Sequence, residues 1–165
     1  MTLTIICVIM SIGFSLIILI PQYKNPISQL VSYPTAIRKR VESLSEYKDI
    51  IKKIKQKSIG KKIFSIIVFA VILAIISFFL GGKTFFQTFK YSIIIFMAVN
   101  FYDLIVMDII VFCHSKKLMI KGTEDMIKEY RNPGHHVIGF LKGTGIGIIV
   151  ALLSGGIVAL YNIIK

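Results

Sequence analysis

Residues Asn100–His114, NFYDLIVMDIIVFCH, close an apolar run that begins near Tyr91 and carry two carboxylates, Asp103 and Asp108. The run 91–113 is long enough to cross the hydrocarbon core of a bilayer as a helix. An Asp near the middle of such a helix costs about 2.5–3.5 kcal/mol to insert. The charge therefore needs relief from a hydrogen-bond donor, water, a bound cation or a proton, which makes this run the candidate functional segment.

The spacing of three polar residues places them on a broad sector of this helix. Successive side chains of an α-helix are about 100° apart, so Asn100 and Asp103 lie about 60° apart on one face. Asp108 lies about 80° to the other side of Asn100. We expect this sector to face protein or water, with Asn100 as polar support for the carboxylates. Two interpretations remain open: a functional site inside a helical bundle, or interhelical hydrogen bonds that hold the bundle together.

Three more apolar runs accompany this one in a chain of 165 residues, 55% of them hydrophobic. The composition predicts an all-α integral membrane protein, a single membrane domain built as a bundle of four transmembrane helices. Pro21 is expected to end the first helix, because proline cannot continue the hydrogen-bond ladder. The predicted spans are about 3–20, 63–80, 91–113 and 140–162, joined by a long loop at 21–62, a short outer loop at 81–90 and a second long loop at 114–139.

Positive charge is concentrated in the two long loops. All of the 20 Lys and Arg residues except Lys83, Lys90 and Lys165 lie in these loops or, like Lys142, beside them, and the formal net charge is +12. The positive-inside rule therefore predicts a multi-pass protein of the cell (plasma) membrane, with cytoplasmic long loops and both termini outside. No nucleic-acid motif is present, so we expect no nucleic-acid partner. The excess of Lys over Arg and the abundant Ile are typical of an AT-rich, bacterial genome.

The first long loop contains a basic amphipathic pattern between residues 35 and 62. Apolar residues recur every three or four positions from Ile37 to Ile54, and Lys and Arg fill most of the other positions. We predict a cytoplasmic basic amphipathic helix between the first and second spans, ending near Gly60. It is expected to lie along the anionic headgroups of membrane lipids. The alternative is a solvated helix that packs on the bundle.

The histidines of the chain, His114, His135 and His136, all fall on the predicted cytoplasmic side, near Asp108. Imidazole and carboxylate groups at one end of a bundle can form an acid–base site or a metal site. No His-Glu-x-x-His or Cys-x-x-Cys spacing supports a metal, so the cofactor stays unknown, and the alternative is interfacial His beside lipid headgroups. The candidate catalytic residues are Asp103, Asp108, His135 and His136, with Asn100 and His114 as polar support, and the candidate metal ligands are Asp108, His114, His135 and His136.

The last span carries small residues at intervals of four. This spacing lets two helix backbones approach closely, and the neighbour is either another helix of the chain or a second copy in a homodimer. The row that we predict to pack consists of Gly139, Gly143, Gly147, Ala151, Gly155 and Ala159.

Three functions fit these features. The first is an interaction or accessory protein without a catalytic motif, whose basic loop binds lipid or a cytoplasmic partner. The second is a small membrane enzyme that acts on a lipid-linked or metal-bound substrate through Asp103, Asp108 and the His135–His136 loop. The third is a dimeric cation- or proton-coupled transporter that uses the two Asp residues. Asp103→Asn separates the first from the others, because an amide keeps a hydrogen bond but not the charge.

Overall fold

The protein is all-helical in the part of the chain that the structure describes. The structure, a computed structural model, describes residues 2–165, without the side chains of residues 55–59 and 61. Short 3-10 turns lie at Pro26–Ser32, Ser45–Tyr47 and Lys116–Leu118. The longer elements, in chain order, are α1 (Leu3–Lys24), α2 (Thr35–Ser43), α3 (Lys48–Phe79), α4 (Phe85–Tyr102), a π-helix that continues α4 (Asp103–Phe112), α5 (Ile127–Tyr130) and α6 (Gly134–Ile164).

Four segments are long and apolar enough to cross a membrane. The prediction of an all-α chain with four such segments is therefore confirmed. They are Leu3–Lys24, Lys62–Phe79, Phe85–Phe112 and Ile127–Ile164.

The first helix does not end at its proline, contrary to our prediction. α1 passes through Pro21 and ends at Lys24, where the amide of Asn25 donates to the Pro21 carbonyl (2.9 Å). A proline removes one backbone hydrogen bond and strains the turn before it. Because Pro21 lies in the last turn, no long helix follows that the strain could bend.

The helix predicted to begin at Thr35 is divided, and its second part merges with the second apolar segment. Leu44 adopts an extended conformation (ψ 123°) and ends α2. α3 then runs without a break from Lys48 through Gly60 to Phe79. A separate amphipathic helix, α2, therefore lies between the first two spans, but its predicted extent over 35–62 is wrong. α3 continues through Gly60 because glycine in a helix costs only about 1 kcal/mol relative to alanine and does not by itself end one.

The two long loops fold together into a cap over one end of the bundle. The cap comprises residues 26–51 and 112–130, whose apolar side chains form one buried cluster. At its centre Tyr33 is fully buried and donates a hydrogen bond to the Leu118 carbonyl (2.8 Å). Burial raises the pKa of the Tyr33 phenol above its usual range. The Tyr33 ring also packs edge-on against Phe112, at 4.9 Å between ring centroids.

The apolar side of α2 is part of this cluster. Ile37 and Val41 are fully buried, whereas Lys39 and Arg40 on the same helix are exposed. An interfacial helix inserts its apolar face into the bilayer. In α2 this face is instead buried within the protein. Contact of α2 with lipid headgroups stays a prediction, and it would use the charged side chains alone.

α6 packs most closely on α4, through the predicted row of small residues. A Cβ atom at Gly143 would lie 2.5 Å from Asn100 Oδ1, and one at Gly147 would collide with the Phe96 ring. A Cβ at Gly155 would lie 3.0 Å from a backbone oxygen of α4. The neighbour of this row is therefore a helix of the same chain.

The predicted row does not contact α4 along its whole length. Ala151 is fully buried and Ala159 is half-buried, but nothing lies within 4 Å of a Cβ built at Gly139. The central part of the row is used within the chain and is not free for a second copy. A homodimer through α6 stays a prediction, and it would need another face of the helix.

In the half of the bundle away from the cap, buried hydroxyl groups join the long helices, beside an open apolar pocket of about 240 Å³ between α3 and α6. Ser77 Oγ and Ser92 Oγ join α3 to α4 at 3.1 Å. Ser154 Oγ donates to the Ala70 carbonyl (2.9 Å) and joins α6 to α3. Ile95 of α4 is fully buried between these contacts. Tight packing of this kind fixes the four long helices around the segment that carries the carboxylates.

Candidate acid–base site

The two carboxylates lie on a π-helix rather than an α-helix. The chain keeps α geometry to Tyr102 and is π-helical over Asp103–Phe112. At the end of this segment the amide of Cys113 donates to the Asp108 carbonyl (3.0 Å), which is an i→i+5 hydrogen bond. π-Helical turns are rare in proteins and occur frequently at functional sites.

This geometry brings Asp103 and Asp108 to the same side of the helix. Hydrogen bonds of the i→i+5 type stack residues five apart, whereas α geometry would separate them by about 140°. Asp103 accordingly interacts through its charge with both Asp108 and His136 of α6. The arrangement expected from the sequence, with one carboxylate on each side of Asn100, assumed an α-helix, and the π-helix replaces it.

Asp108 and His136 form an interhelical pair. His136 Nδ1 lies 3.0 Å from Asp108 Oδ1, with the histidine side chain 3% exposed and the aspartate side chain 28% exposed. His136 stands in the first turn of α6, whose start is fixed by Asn132 Oδ1 accepting a hydrogen bond from the Gly134 amide (2.9 Å). The imidazole also packs edge-on against Phe112, at 4.9 Å between ring centroids. Both members of the pair are therefore held by neighbouring structure.

The second nitrogen of His136 is left without a partner. His136 Nε2 is buried and makes no hydrogen bond to any described residue. A carboxylate that accepts a hydrogen bond from Nδ1 favours the tautomer in which Nε2 carries a free lone pair. Buried polar atoms are nearly always paired in folded proteins, so an unpaired ring nitrogen of this kind points to a ligand or to chemistry. As a base, this nitrogen can accept a proton from a bound molecule.

Asn100 has a structural role next to this pair. Its Nδ2 donates to the Phe140 carbonyl (3.1 Å) and to Thr144 Oγ1 (3.2 Å), both on α6. The side chain fits between the helices because Gly143 leaves room for it. The predicted polar support by Asn100 is thus a direct link between α4 and α6.

A pocket of about 170 Å³ reaches Asp103 and Asn100 from between the four long helices. Its lining residues lie near the middle of the four long segments, and Asp108 and His136 are not among them. No hydrogen bond to the Asp103 carboxylate occurs among the residues that the structure describes. The remaining wall is apolar apart from Ser65 and is formed by Phe14, Ile66, Phe69, Phe96, Val99, Ile146 and Val150.

Of the other two histidines, His135 packs edge-on against His136, at 5.6 Å between ring centroids, whereas His114 lies away from the pair. His135 Nε2 lies 3.2 Å from the Ser32 carbonyl in the cap. His114 is exposed, and its Nδ1 lies 3.0 Å from the Ile109 carbonyl of its own helix. Within the described part of the chain, no group of three or more His, Cys, Asp or Glu residues could hold a metal ion. Of the four candidate metal ligands, Asp108 and His136 are directly paired, His135 lies beside His136, and His114 lies apart.

Arg38 is a site neighbour that the sequence argument did not single out. It lies in α2 and interacts through its charge with His135. One of its nitrogens, Nη2, donates to Thr35 Oγ1 (3.0 Å), while the buried Nε has no hydrogen-bond partner among the described residues. The available signal was weak: arginine is scarce in this chain, and Arg38 lies on the helix whose apolar side builds the cap.

The chain matches no protein-family model, no curated protein and no solved structure. The function is therefore argued from the geometry of the site alone.

Proposed function

We propose that this protein is a small integral membrane enzyme that performs acid–base chemistry on an amphipathic, lipid-linked molecule. In this proposal His136 Nε2 is the proton acceptor, Asp108 orients the imidazole and stabilises its protonated form, and Asp103 lines the pocket for the reacting group. The unpaired, buried Nε2 beside a bound Nδ1 is the observation that carries the proposal, because a histidine used only for packing has no reason to leave it unpaired.

The proposed protein is multi-pass in the cell membrane, with the cap in the cytoplasm and both termini outside. Support comes from the basic residues of both long loops, which lie at the cap end of the bundle. It also comes from the large apolar side chains exposed on the outer faces of the long helices, such as Ile17, Phe64 and Leu141. Such faces are stable against lipid tails and unfavourable in water.

Buried contacts between α3 and α4 favour an enzyme over a transporter, and the pocket away from the cap has no charged lining residue that could serve an ion. A transporter needs a route from the site to both sides of the membrane. Ile95 and the Ser77–Ser92 contact fill the bundle on the side of the site away from the cap. The same small residues of α6 that would have to form a dimer already contact α4. These observations weigh against a dimeric cation- or proton-coupled transporter.

An interaction or accessory protein is the second candidate function. The compact cap, with an apolar core and exposed lysines and arginines, favours it. Such a surface fits anionic headgroups or an acidic protein partner. In this candidate the Asp108–His136 pair serves only to join α6 to the π-helix, so its loss would lower stability without changing any lipid.

The two candidates are separated by incubating the purified protein with lipids and measuring products. Wild type, His136→Gln and His114→Gln would be reconstituted with total lipids of the producing cells, and the lipids compared by mass spectrometry. We expect a lipid species to be converted by wild type and by His114→Gln, and at least about 100-fold more slowly by His136→Gln. His114→Gln is the matched control, because His114 lies outside the site. Identical lipid profiles with wild type and His136→Gln would reject the enzyme.

A further inference from the structure

The pocket beside Asp103 has the features of a site for a molecule with one polar end. Its wall is built from side chains of α1, α3, α4 and α6, and nearly all of them are apolar. The polar groups that reach it are Asn100, Asp103 and Ser65. An apolar pocket with a few convergent polar groups is the usual form of a small-molecule site.

The polar end of the pocket lies near more acidic groups than basic ones. Asp103 interacts with Asp108, a like charge, and with a single imidazole, His136. Asn100 adds no positive charge, and its amide nitrogen is already bound to α6. Two carboxyl groups face one imidazole, so the second carboxylate needs a proton or a bound cation to be neutralised. A cationic group in the pocket would relieve this imbalance.

We propose that the pocket binds an amphipathic cation, with its ammonium group paired to Asp103 and its alkyl chain along Ile66, Phe69 and Ile146. This names the substrate class of the site and so rests on the proposed function. A bare divalent metal ion fits less well, because Mg²⁺ and Ca²⁺ take six or more oxygen ligands. An anionic headgroup would be repelled by the two carboxylates.

Three six-carbon probes that differ only in the headgroup test the charge preference. The full-length protein, in a neutral detergent at pH 7, would be titrated with n-hexylamine, n-hexanol and hexanoate, and binding followed by saturation-transfer NMR. An alkylamine with a pKa of about 10 is cationic at this pH. We expect the amine to bind about tenfold more tightly than the alcohol, since hydrogen bonds to charged groups are the stronger ones. Hexanoate should bind most weakly.

Variants of the pocket assign this preference to its cause. Asp103→Asn should reduce the preference for amine over alcohol to about twofold or less, and Asp103→Glu should retain it. Ile146→Trp narrows the pocket from a partly exposed position and should weaken both probes alike while the preference remains. Gel filtration and circular dichroism show that each variant is folded. If Asp103→Asn does not fold, the proposal is still tested by the retained preference in Asp103→Glu and by the weaker binding of both probes in Ile146→Trp.

Two outcomes would overturn the proposal. Equal binding of amine and alcohol by wild type would mean that a proton, and not a cationic ligand, neutralises Asp103. A preference for amine that persists in Asp103→Asn would place the recognition elsewhere. Lipid conversion that depends on His136 but proceeds without any preference for cations would reject the ligand class and leave the enzyme intact. A preference for cations without any lipid conversion that depends on His136 would reject only the enzyme.

Discussion

α4 and the π-helix that continues it form one apolar segment, yet the hydrogen bonding of their polar side chains differs. In α4 the two buried hydroxyls are paired: Thr88 Oγ1 donates to the Gly82 carbonyl (3.0 Å) and Ser92 meets Ser77. In the π-helix, the Asp103 carboxylate has no hydrogen bond to a described residue, and His136, the partner of Asp108, leaves Nε2 unpaired. Satisfied polar groups stabilise a bundle, whereas unsatisfied ones cost stability and are kept for another reason.

The change of helix type marks the border between the two regions. Asn100, three residues before the π-helix, still links α4 to α6. Beyond it, i→i+5 hydrogen bonding brings two carboxylates to one side, where α geometry would have kept them apart. The first region therefore joins helices, whereas the second places Asp103 at a pocket and Asp108 beside His136.

Asp108→Asn should abolish most of the proposed lipid conversion with little change in stability. The amide can donate a hydrogen bond to His136 Nδ1, which favours the tautomer with a proton on Nε2. That nitrogen then cannot accept a proton, and the rate should fall by about 10²–10⁴-fold. Conversion would be measured by mass spectrometry, with Asp125→Asn at an exposed cap position as the matched control. Normal lipid conversion by Asp108→Asn would show that the Asp108 carboxylate has no role in the reaction.

Gly147→Val should destabilise the bundle through the α4–α6 contact. The added side chain collides with the Phe96 ring, and overpacking of this kind costs about 1–3 kcal/mol. Gly145→Val is the control, because nothing lies within 4 Å of a Cβ at Gly145. The measurement is the thermal midpoint in detergent by circular dichroism. Equal midpoints for the two variants would show that the row does not pack on α4.

Ser154→Ala should lower stability modestly, because it removes a hydrogen bond in the half of the bundle away from the cap. Ser154 Oγ donates to the Ala70 carbonyl, and a neutral buried hydrogen bond contributes about 1 kcal/mol. Ser43→Ala at an exposed position should change the free energy of unfolding by less than about 0.5 kcal/mol. Both variants would be measured by thermal unfolding. A Ser154→Ala protein as stable as Ser43→Ala would show that this buried hydrogen bond does not stabilise the bundle.

Asp103→Asn should have the smallest effect on stability, although it lies in the same apolar segment. No hydrogen bond is lost and a poorly compensated charge is removed, so the thermal midpoint should stay unchanged or rise. Asn100→Ala is the contrasting variant, because it breaks the link to α6 and should lower the midpoint. A marked loss of stability in Asp103→Asn would make this carboxylate a structural group and would favour the accessory protein.

Periodicity and composition were sufficient to predict the helices. Runs of apolar residues, their lengths and the four-residue spacing of small residues in α6 are local patterns, and each one is visible without knowing its neighbours. The same patterns misplaced the end of α1 at Pro21 and the end of the amphipathic helix at Gly60. Glycine and proline weaken a helix locally, but the surrounding packing determines whether it continues.

The lengths of the apolar runs are enough to predict the four described helices that could cross a membrane, with two carboxylates on the third. Which groups meet depends on how these helices pack. The packing paired Asp108 with His136 and excluded His114, and it turned the apolar side of α2 inward against Tyr33. It also used the small residues of α6 within the chain. The pairing of polar side chains depends on helix type and on contacts between residues far apart in the chain. Neither produces a periodic pattern in the sequence.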